Sequence, residues 1–121
     1  KKYSKEHLLL LIYIYYYKSI LSIGDIQSLL EPLTQRYFHK DGEMNMQSIY
    51  EEVFSLEKEQ VEKMKQDVTE KYETASCIFP EAEAEDQEFL RIFSFICLLS
   101  FDVYVKKQVI EKLIDELPKK S

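Results

Sequence analysis

Glycine and proline, which most often form turns, are scarce in this sequence: its 121 residues include two glycines and three prolines. Sheets connected by hairpins need such residues at regular intervals. No stretch alternates apolar and polar residues for long enough to predict a strand. Leu, Ile, Glu, Lys and Tyr are abundant instead. The sequence therefore predicts an all-α fold, a single domain over residues 1–121 built as a bundle of about four to five helices.

Basic residues are outnumbered by acidic ones, 16 to 22, and the formal net charge is −6. Binding to phosphate backbones needs clustered Lys and Arg. The composition therefore argues against a nucleic-acid surface on these residues. DNA binding through a missing N-terminal part stays open.

Cysteine is limited to Cys77 and Cys97, without a Cys-x-x-Cys pair or a Cys/His cluster. Structural zinc sites need such clusters, so the sequence predicts no zinc. The favoured interpretation is two free, buried thiols in a reducing cytosol, and we expect a cytoplasmic protein. A redox or metal-sensing pair is the alternative.

Neither of the two long apolar runs is expected to cross a membrane. The run at 8–17 is shorter than the roughly 20 residues that a span requires, and it carries four tyrosines without a signal-peptide cleavage site. The run at 89–105 contains Arg91 and Asp102. We interpret this second run as a buried helix at the centre of the core.

Polar residues mark three predicted helix starts. Ser4 and Ser22 each precede an apolar periodic segment and are expected to cap the first two helices. Asn45 is expected to cap one long helix over residues 46–75. A last helix is predicted over about residues 86–116.

Pro32 is expected to interrupt the second helix, because the residue before a proline avoids helical angles. The segment 39–42, His-Lys-Asp-Gly, predicts a turn. Helical spacing assigns eight apolar side chains to the core: Leu8, Leu11, Ile14, Ile26, Leu29, Phe93, Ile96 and Leu99.

Tyrosine is concentrated in the first helix, where four of residues 13–17 are tyrosines. Such rings can be buried while their hydroxyls reach water or a partner; the alternative is a ligand pocket or a partner surface. Asp102 is costly to bury alone, so it is expected to face a cavity or to pair with a lysine or a tyrosine hydroxyl. The residues assigned to the pocket or partner surface are Tyr13, Tyr16, Tyr17, Asp102 and Tyr104.

A narrow apolar stripe recurs at steps of three and four along the predicted third helix. Its members are Val61, Met64, Val68 and Tyr72, with mixed charges on both sides. This pattern is typical of a seam between two helices. The stripe is predicted to pair either with the last helix of its own chain or with a second copy, in which case it forms a dimer helix.

No group of residues carries an enzymatic signature: the sequence has no nucleophile beside a base, no Gly-rich phosphate loop and no ligand cluster. Five acids between residues 81 and 88 lack the glycine of a calcium loop. They also precede a helix, whose dipole favours negative charge. We therefore expect no enzyme activity, no catalytic residue, no cofactor and no metal.

The first 33 residues carry a pattern that resembles the segment after the wing of a MerR-type DNA-binding domain. The residues are Tyr3, Ser4, Leu8, Leu11, Ile14, Ser22, Ile23, Ile26, Leu29 and Leu30. The aromatic-rich form is similar to the uncharacterised MerR-like proteins of domain of unknown function 1836. Two features depart from the pattern: the glycine before the second capping serine is absent, and only Lys1 and Lys2 stand where the family has its helix-turn-helix.

The resemblance implies a MerR-like transcription regulator without its recognition helix. Residues 1–38 would be the post-wing helix pair, and residues 43–121 would form the dimerising and effector-binding part. It implies a homodimer and an unidentified small-molecule effector, expected between 13–17 and 89–104. The alternative is a helical protein-interaction module with no role at DNA.

Overall fold

The computed structural model describes residues 4–118, and these residues form five helices and no strand. The helices are α1 (Lys5–Tyr17), α2 (Ile23–Tyr37), α3 (Met46–Phe54), α4 (Glu57–Ser76) and α5 (Ala84–Asp115). The predicted all-α class and number of helices are confirmed. Lys1, Lys2 and Tyr3, which enter the family resemblance, lie outside the described residues.

The three predicted caps are confirmed. The hydroxyl of Ser4 accepts from the backbone N–H of His7 at 3.3 Å, and that of Ser22 accepts from Asp25 at 3.1 Å. Asn45 forms a reciprocal box: its side chain accepts from the Ser48 N–H, and the Ser48 hydroxyl contacts the Asn45 N–H, each at 2.9 Å. Each cap satisfies a donor that a helix start leaves unpaired.

The prediction of one helix over residues 46–75 is wrong, because the chain breaks between α3 and α4 at Ser55 and Leu56. The Ser55 hydroxyl donates to the Glu52 carbonyl at 2.7 Å. The Leu56 N–H bonds the Val53 carbonyl, a three-residue spacing that tightens the last turn. Local serine hydrogen bonds of this kind compete with helix continuation.

Pro32 does not interrupt α2, which continues to Tyr37. A proline removes one backbone donor and crowds the preceding turn. Apolar residues on both sides of it, Leu30 and Leu33, pack into the same core cluster. This packing holds the helix together across the proline.

The chain divides into two compact units. The first comprises Lys1–Leu56 and Lys107–Ser121, of which residues 4–56 and 107–118 are described, and the second comprises Glu57–Lys106. The prediction that residues 1–121 fold as one domain stays a prediction.

The first unit encloses an apolar core formed by α1, α2, α3 and the end of α5. Its buried members are Tyr13, Leu21, Ile26, Leu30 and Ile114. Tyr50 and Phe54 of α3 pack against this cluster, which fixes α3 to α1 and α2.

The second unit is a hairpin of two long helices, α4 and the first part of α5. The rings of Tyr72 and Phe95 meet edge-on with centroids 5.4 Å apart. Lys71 of α4 contacts Asp102 of α5, and a short connection joins the helices at residues 77–83. These contacts make the two helices antiparallel neighbours.

The core prediction is wrong at five of its eight positions. Leu8, Leu11 and Ile14 are exposed on α1, and Phe93 and Ile96 are about half exposed on α5. The physical reason is that no described residue covers these positions of α1 and α5, so their apolar surface stays exposed. Of the remaining three, Ile26 is buried and Leu29 and Leu99 are partly buried.

Cys77 also differs from expectation, because it is exposed rather than buried. It follows the last residue of α4 and lies in the connection to α5. Cys97 is partly buried, and both thiols are free.

Candidate interaction surface

Tyr13 is a packing residue of the first unit, with 6% of its surface exposed. Its ring centroid lies 6.0 Å from that of Phe54, 6.1 Å from Tyr50 and 6.5 Å from Tyr17. Edge-on and offset ring pairs at such distances stabilise a core beyond the area that they bury. The sequence interpretation of core packing therefore describes Tyr13.

Burial also changes the acidity of this cluster. It raises the pKa of Tyr13, because the buried phenolate would lose its hydration, and the neighbouring Tyr17 and Tyr50 raise it further. Burial likewise raises the pKa of Tyr17. Both hydroxyls therefore stay protonated over a wider pH range than a free tyrosine.

Tyr16 differs from its neighbours, because 51% of its surface is exposed. Its ring contacts Tyr17 and Phe54 edge-on, with centroids 6.2 and 5.5 Å away. Of the three tyrosines of α1 that were assigned to the pocket or partner surface, Tyr16 is the one whose ring packs on other rings and is also exposed. Its role in a pocket or partner surface stays a prediction.

Asp102 and Tyr104 lie on α5 in the second unit. Asp102 pairs with a lysine, which is one of the alternatives expected from the sequence. The Lys71 Nζ is 3.0 Å from Asp102 Oδ2 and also bonds Asp67. The hydrogen bond to Lys71 lowers the pKa of Asp102, and the bond to Asp67 is the main cause that raises the pKa of Lys71. Tyr104 is largely exposed, at 64% of its surface.

The apolar stripe predicted at Val61, Met64, Val68 and Tyr72 lies on α4, and part of it packs within the chain. Tyr72 contacts Phe95 of its own chain, and Ala75, one turn further along the same face, is completely buried. Val61 is partly buried, and Met64 and Val68 are 51% and 40% exposed. The contacts of Tyr72 correspond to pairing within the chain, and a role for the stripe as a dimer helix stays a prediction.

An uncovered apolar surface of the hairpin lies on α5, on the side away from α4. Four large side chains share it, spaced by four, three and seven residues, and each is more than half exposed: Phe89, Phe93, Ile96 and Val103. We call these four residues the α5 seam. Spacings of three and four residues are typical of a helix that pairs along its length with another helix.

The α4-facing side of α5 carries different residues. Phe95 and Asp102 make the contacts to α4. At about 100° per residue, Ile96 of the seam and Asp102 lie well apart around the helix. The seam is therefore not the surface that closes the hairpin.

Charge is distributed unevenly along α5. Glu85, Asp86 and Glu88 lie in its first turns, while Lys106 is exposed beyond the seam. One end of the seam is thus acidic and the other is basic. The sequence alone shows this charge distribution. It does not identify the seam residues, because α5 is apolar on nearly every face.

Within residues 4–118, no three His, Cys, Asp or Glu side chains are grouped so that they could hold a metal ion. None of the helices in this range combines the length and apolar composition that a membrane crossing requires.

Residues 1–53 match the family model described as Domain of unknown function (DUF1836). This match confirms the resemblance to that family over α1, α2 and most of α3, and the link to MerR-type regulators stays a prediction. The α5 seam lies beyond the matched residues. No curated protein and no solved structure matches the chain.

Proposed function

We propose that this chain is the dimerising and regulatory part of a MerR-like transcription regulator, and that its hairpin at residues 57–106 binds a second copy of itself. The observation that supports the proposal is the α5 seam, an apolar face of the hairpin with its large side chains exposed. Exposed apolar faces of this kind mark interaction sites.

The size of the face suits a stable interface. A standard complex removes about 800 Å² of surface from each partner. A buried aromatic side chain accounts for about 150–250 Å². The seam together with its exposed neighbours Ile92 and Tyr104 offers an area of that order.

The α5 seam is complementary to itself in side-chain size and in charge, which supports a second copy of the chain as its partner. In an antiparallel pair centred on Ile96, Phe89 meets Val103 of the second copy, so a large side chain faces a smaller one. The acidic start of each α5 then lies beside the basic end of the other, with Glu85 near Lys106. A two-fold axis makes both contacts twice.

The regulator role rests on the family resemblance and on symmetry. Residues 1–53 match the family that the resemblance named. Regulators that read DNA with two-fold symmetry are dimers whose paired half-sites reflect that symmetry. In the proposed protein, DNA contacts come from a part that precedes residue 1, since the charge of these 121 residues is −6.

The test is the solution mass of the chain, measured by light scattering on a sizing column. The chain has a mass of 14.5 kDa, so the proposed dimer has about twice that mass. Ile96→Glu places a charge in the middle of the seam and is expected to give a monomer, because both copies bury that position. Circular dichroism checks that the helices remain.

Val105→Glu is the matched control, because Val105 and Ile96 are both 54% exposed. The two residues lie nine positions apart, about half a turn around α5. The Val105 variant is expected to remain a dimer. Met64→Glu tests the stripe on α4: loss of the dimer in this variant alone would move the interface from the α5 seam to α4.

A monomer at all concentrations would overturn the proposed dimer. It would favour the alternative, a helical module that binds another protein without acting at DNA. If the chain is a dimer and Ile96→Glu disrupts it, DNA binding is tested next. The longer protein that contains this chain is expected to bind promoter DNA, and Ile96→Glu should weaken that binding.

A further inference from the structure

A cavity of about 450 Å³ lies at the turn of the hairpin, where α4 ends and α5 begins. This volume falls within the range of about 300–1,000 Å³ that small-molecule sites occupy. Its walls include the apolar side chains of Ile78, Phe79 and Pro80, and Gln87 and Arg91 close it from α5. Among the described residues that line it, Arg91 is the one with a full charge.

Arg91 has unused hydrogen-bonding capacity. Its Nη2 lies 3.3 Å from Glu88 Oε2, but the Glu88 side chain is 70% exposed, so this ion pair is weak. The Nε of Arg91 is buried and has no hydrogen-bond partner among the described residues. A guanidinium carries five donors, and a buried donor without a partner is unfavourable.

The opposite wall is held in a fixed conformation. Phe79 has a φ of 57°, the left-handed region that side chains other than glycine seldom adopt. The Gln87 side chain donates to the Pro80 carbonyl at 3.2 Å and to the Ala82 carbonyl at 3.0 Å. These bonds fasten the turn to α5, so the Phe79 ring stays beside the cavity. Strained residues that the surrounding structure maintains are concentrated at ligand sites.

We propose that this cavity binds a small organic monocarboxylate. The carboxylate accepts hydrogen bonds from the Arg91 guanidinium, whose planar fork matches the two oxygens. The apolar body of the ligand packs on Ile78 and Phe79. A ligand with several negative charges does not fit, because one cation faces it and Glu81 and Glu83 stand in the adjoining connection.

This site rests on residues 76–91 alone and does not depend on the proposed dimer. The region gives no sequence signature, because its residues become a cavity only through the turn at Phe79. The family resemblance implies a small-molecule effector, and this cavity is the site that we assign to one.

The test is a calorimetric titration of the full chain with benzoate, which combines an aromatic ring with a single carboxylate. We expect one saturable site, and no saturable binding of benzyl alcohol, which keeps the ring and lacks the charge. Arg91→Gln is expected to weaken benzoate binding at least tenfold. Glu88→Gln, which removes the competing carboxylate, should bind benzoate as tightly as the unmodified chain or more tightly.

Phe79→Ala keeps the cation and removes the apolar wall, so it should also weaken binding. It serves as the second variant should Arg91→Gln lose helicity. Absence of saturable benzoate binding would overturn the proposal, as would equal binding of benzyl alcohol or unchanged affinity in both variants. The solution mass in the same samples reports on the dimer separately.

Discussion

Lys71 and Asp102 join the two helices of the hairpin through a contact of 3.0 Å between the ammonium nitrogen and a carboxylate oxygen. The same ammonium group bonds Asp67, so two carboxylates share one cation. Lys71 is the more enclosed partner, with 19% of its side chain exposed against 39% for Asp102. This group is a polar link between α4 and α5 within the second unit.

The first prediction follows from the lowered pKa of Asp102. A carboxyl whose pKa is lower in the folded state stabilises that state above its unfolded pKa, about 4, and loses this contribution as pH falls through the folded value. Asp102→Asn should therefore lower the melting temperature at neutral pH, and the difference from the unmodified chain should shrink toward acidic pH. Thermal unfolding followed by circular dichroism measures it.

The control for this experiment is Glu62→Gln. Glu62 forms a surface pair with Lys65 at 3.8 Å, and both side chains are about two-thirds exposed. Such surface pairs contribute little to stability, so this variant should have the same melting temperature as the unmodified chain at every pH. A constant Asp102→Asn difference from acidic to neutral pH would contradict the role of the ion pair.

The second prediction concerns Tyr13, which lies in the core of the first unit. Tyr13→Ala is expected to lower the free energy of unfolding by about 3–5 kcal/mol, as removal of a buried aromatic ring does. Tyr15→Ala is the matched control on the same helix: Tyr15 is 72% exposed, and its loss should change stability by less than about 0.5 kcal/mol. Urea unfolding measures both, and equal effects would contradict the assignment of Tyr13 to the core.

Tyr13 also gives an alkaline prediction. Its pKa is raised in the folded state, so its contribution to stability is complete below the unfolded pKa of about 10 and is lost as pH rises through the folded value. Tyr13→Phe cannot ionise at this position. The variant should therefore lose less stability between neutral pH and pH 11 than the unmodified chain, and an identical loss would show that burial does not perturb Tyr13.

The third prediction concerns Ala75, which is completely buried near the end of α4. Ala75→Leu inserts three carbon atoms where there is no space and is expected to destabilise the folded chain by about 1–3 kcal/mol. Ala84→Leu adds the same atoms at an exposed position at the start of α5 and should have little effect. Urea unfolding of the two variants compares them directly, and a neutral Ala75→Leu would contradict the close packing around this side chain.

The fourth prediction tests the register of the proposed dimer. Glu85→Lys or Lys106→Glu alone should raise the dimer dissociation constant about 2- to 30-fold, because each copy then places like charges side by side at two symmetric contacts. The double variant restores opposite charges in an antiparallel pair and should recover the affinity. Sedimentation equilibrium measures the constants, and additive losses in the double variant would exclude this register.

Local sequence signals predicted the beginnings of helices well and their interruptions poorly. Ser4, Ser22 and Asn45 act as caps because their side chains reach backbone donors only three residues away. Continuation through Pro32 depends instead on the core cluster into which Leu30 and Leu33 pack, and the break at Ser55 on a local hydrogen bond of its hydroxyl that competes with a continued helix. Sequence spacing alone does not contain that information.

Burial was the least predictable property for the same reason. Ile96 has the apolar spacing of a core residue, yet it is 54% exposed, because α4 covers the other side of α5. Tyr13 carries a polar group and is nevertheless buried, because α3 supplies rings to pack against. The pairing of Asp102 with Lys71 could be foreseen as one alternative, since a charge in an apolar helix needs a partner.

Within the hairpin at residues 57–106 only two described side chains are buried, Ala75 and Ser94, and both are small. Two helices that enclose so little apolar volume gain little free energy from folding alone, since burial of large apolar side chains is the main favourable contribution. In the proposed dimer, burial of the α5 seam adds stability that a single copy lacks. The melting temperature of this segment should then rise with protein concentration, as mass action requires when association stabilises the folded state.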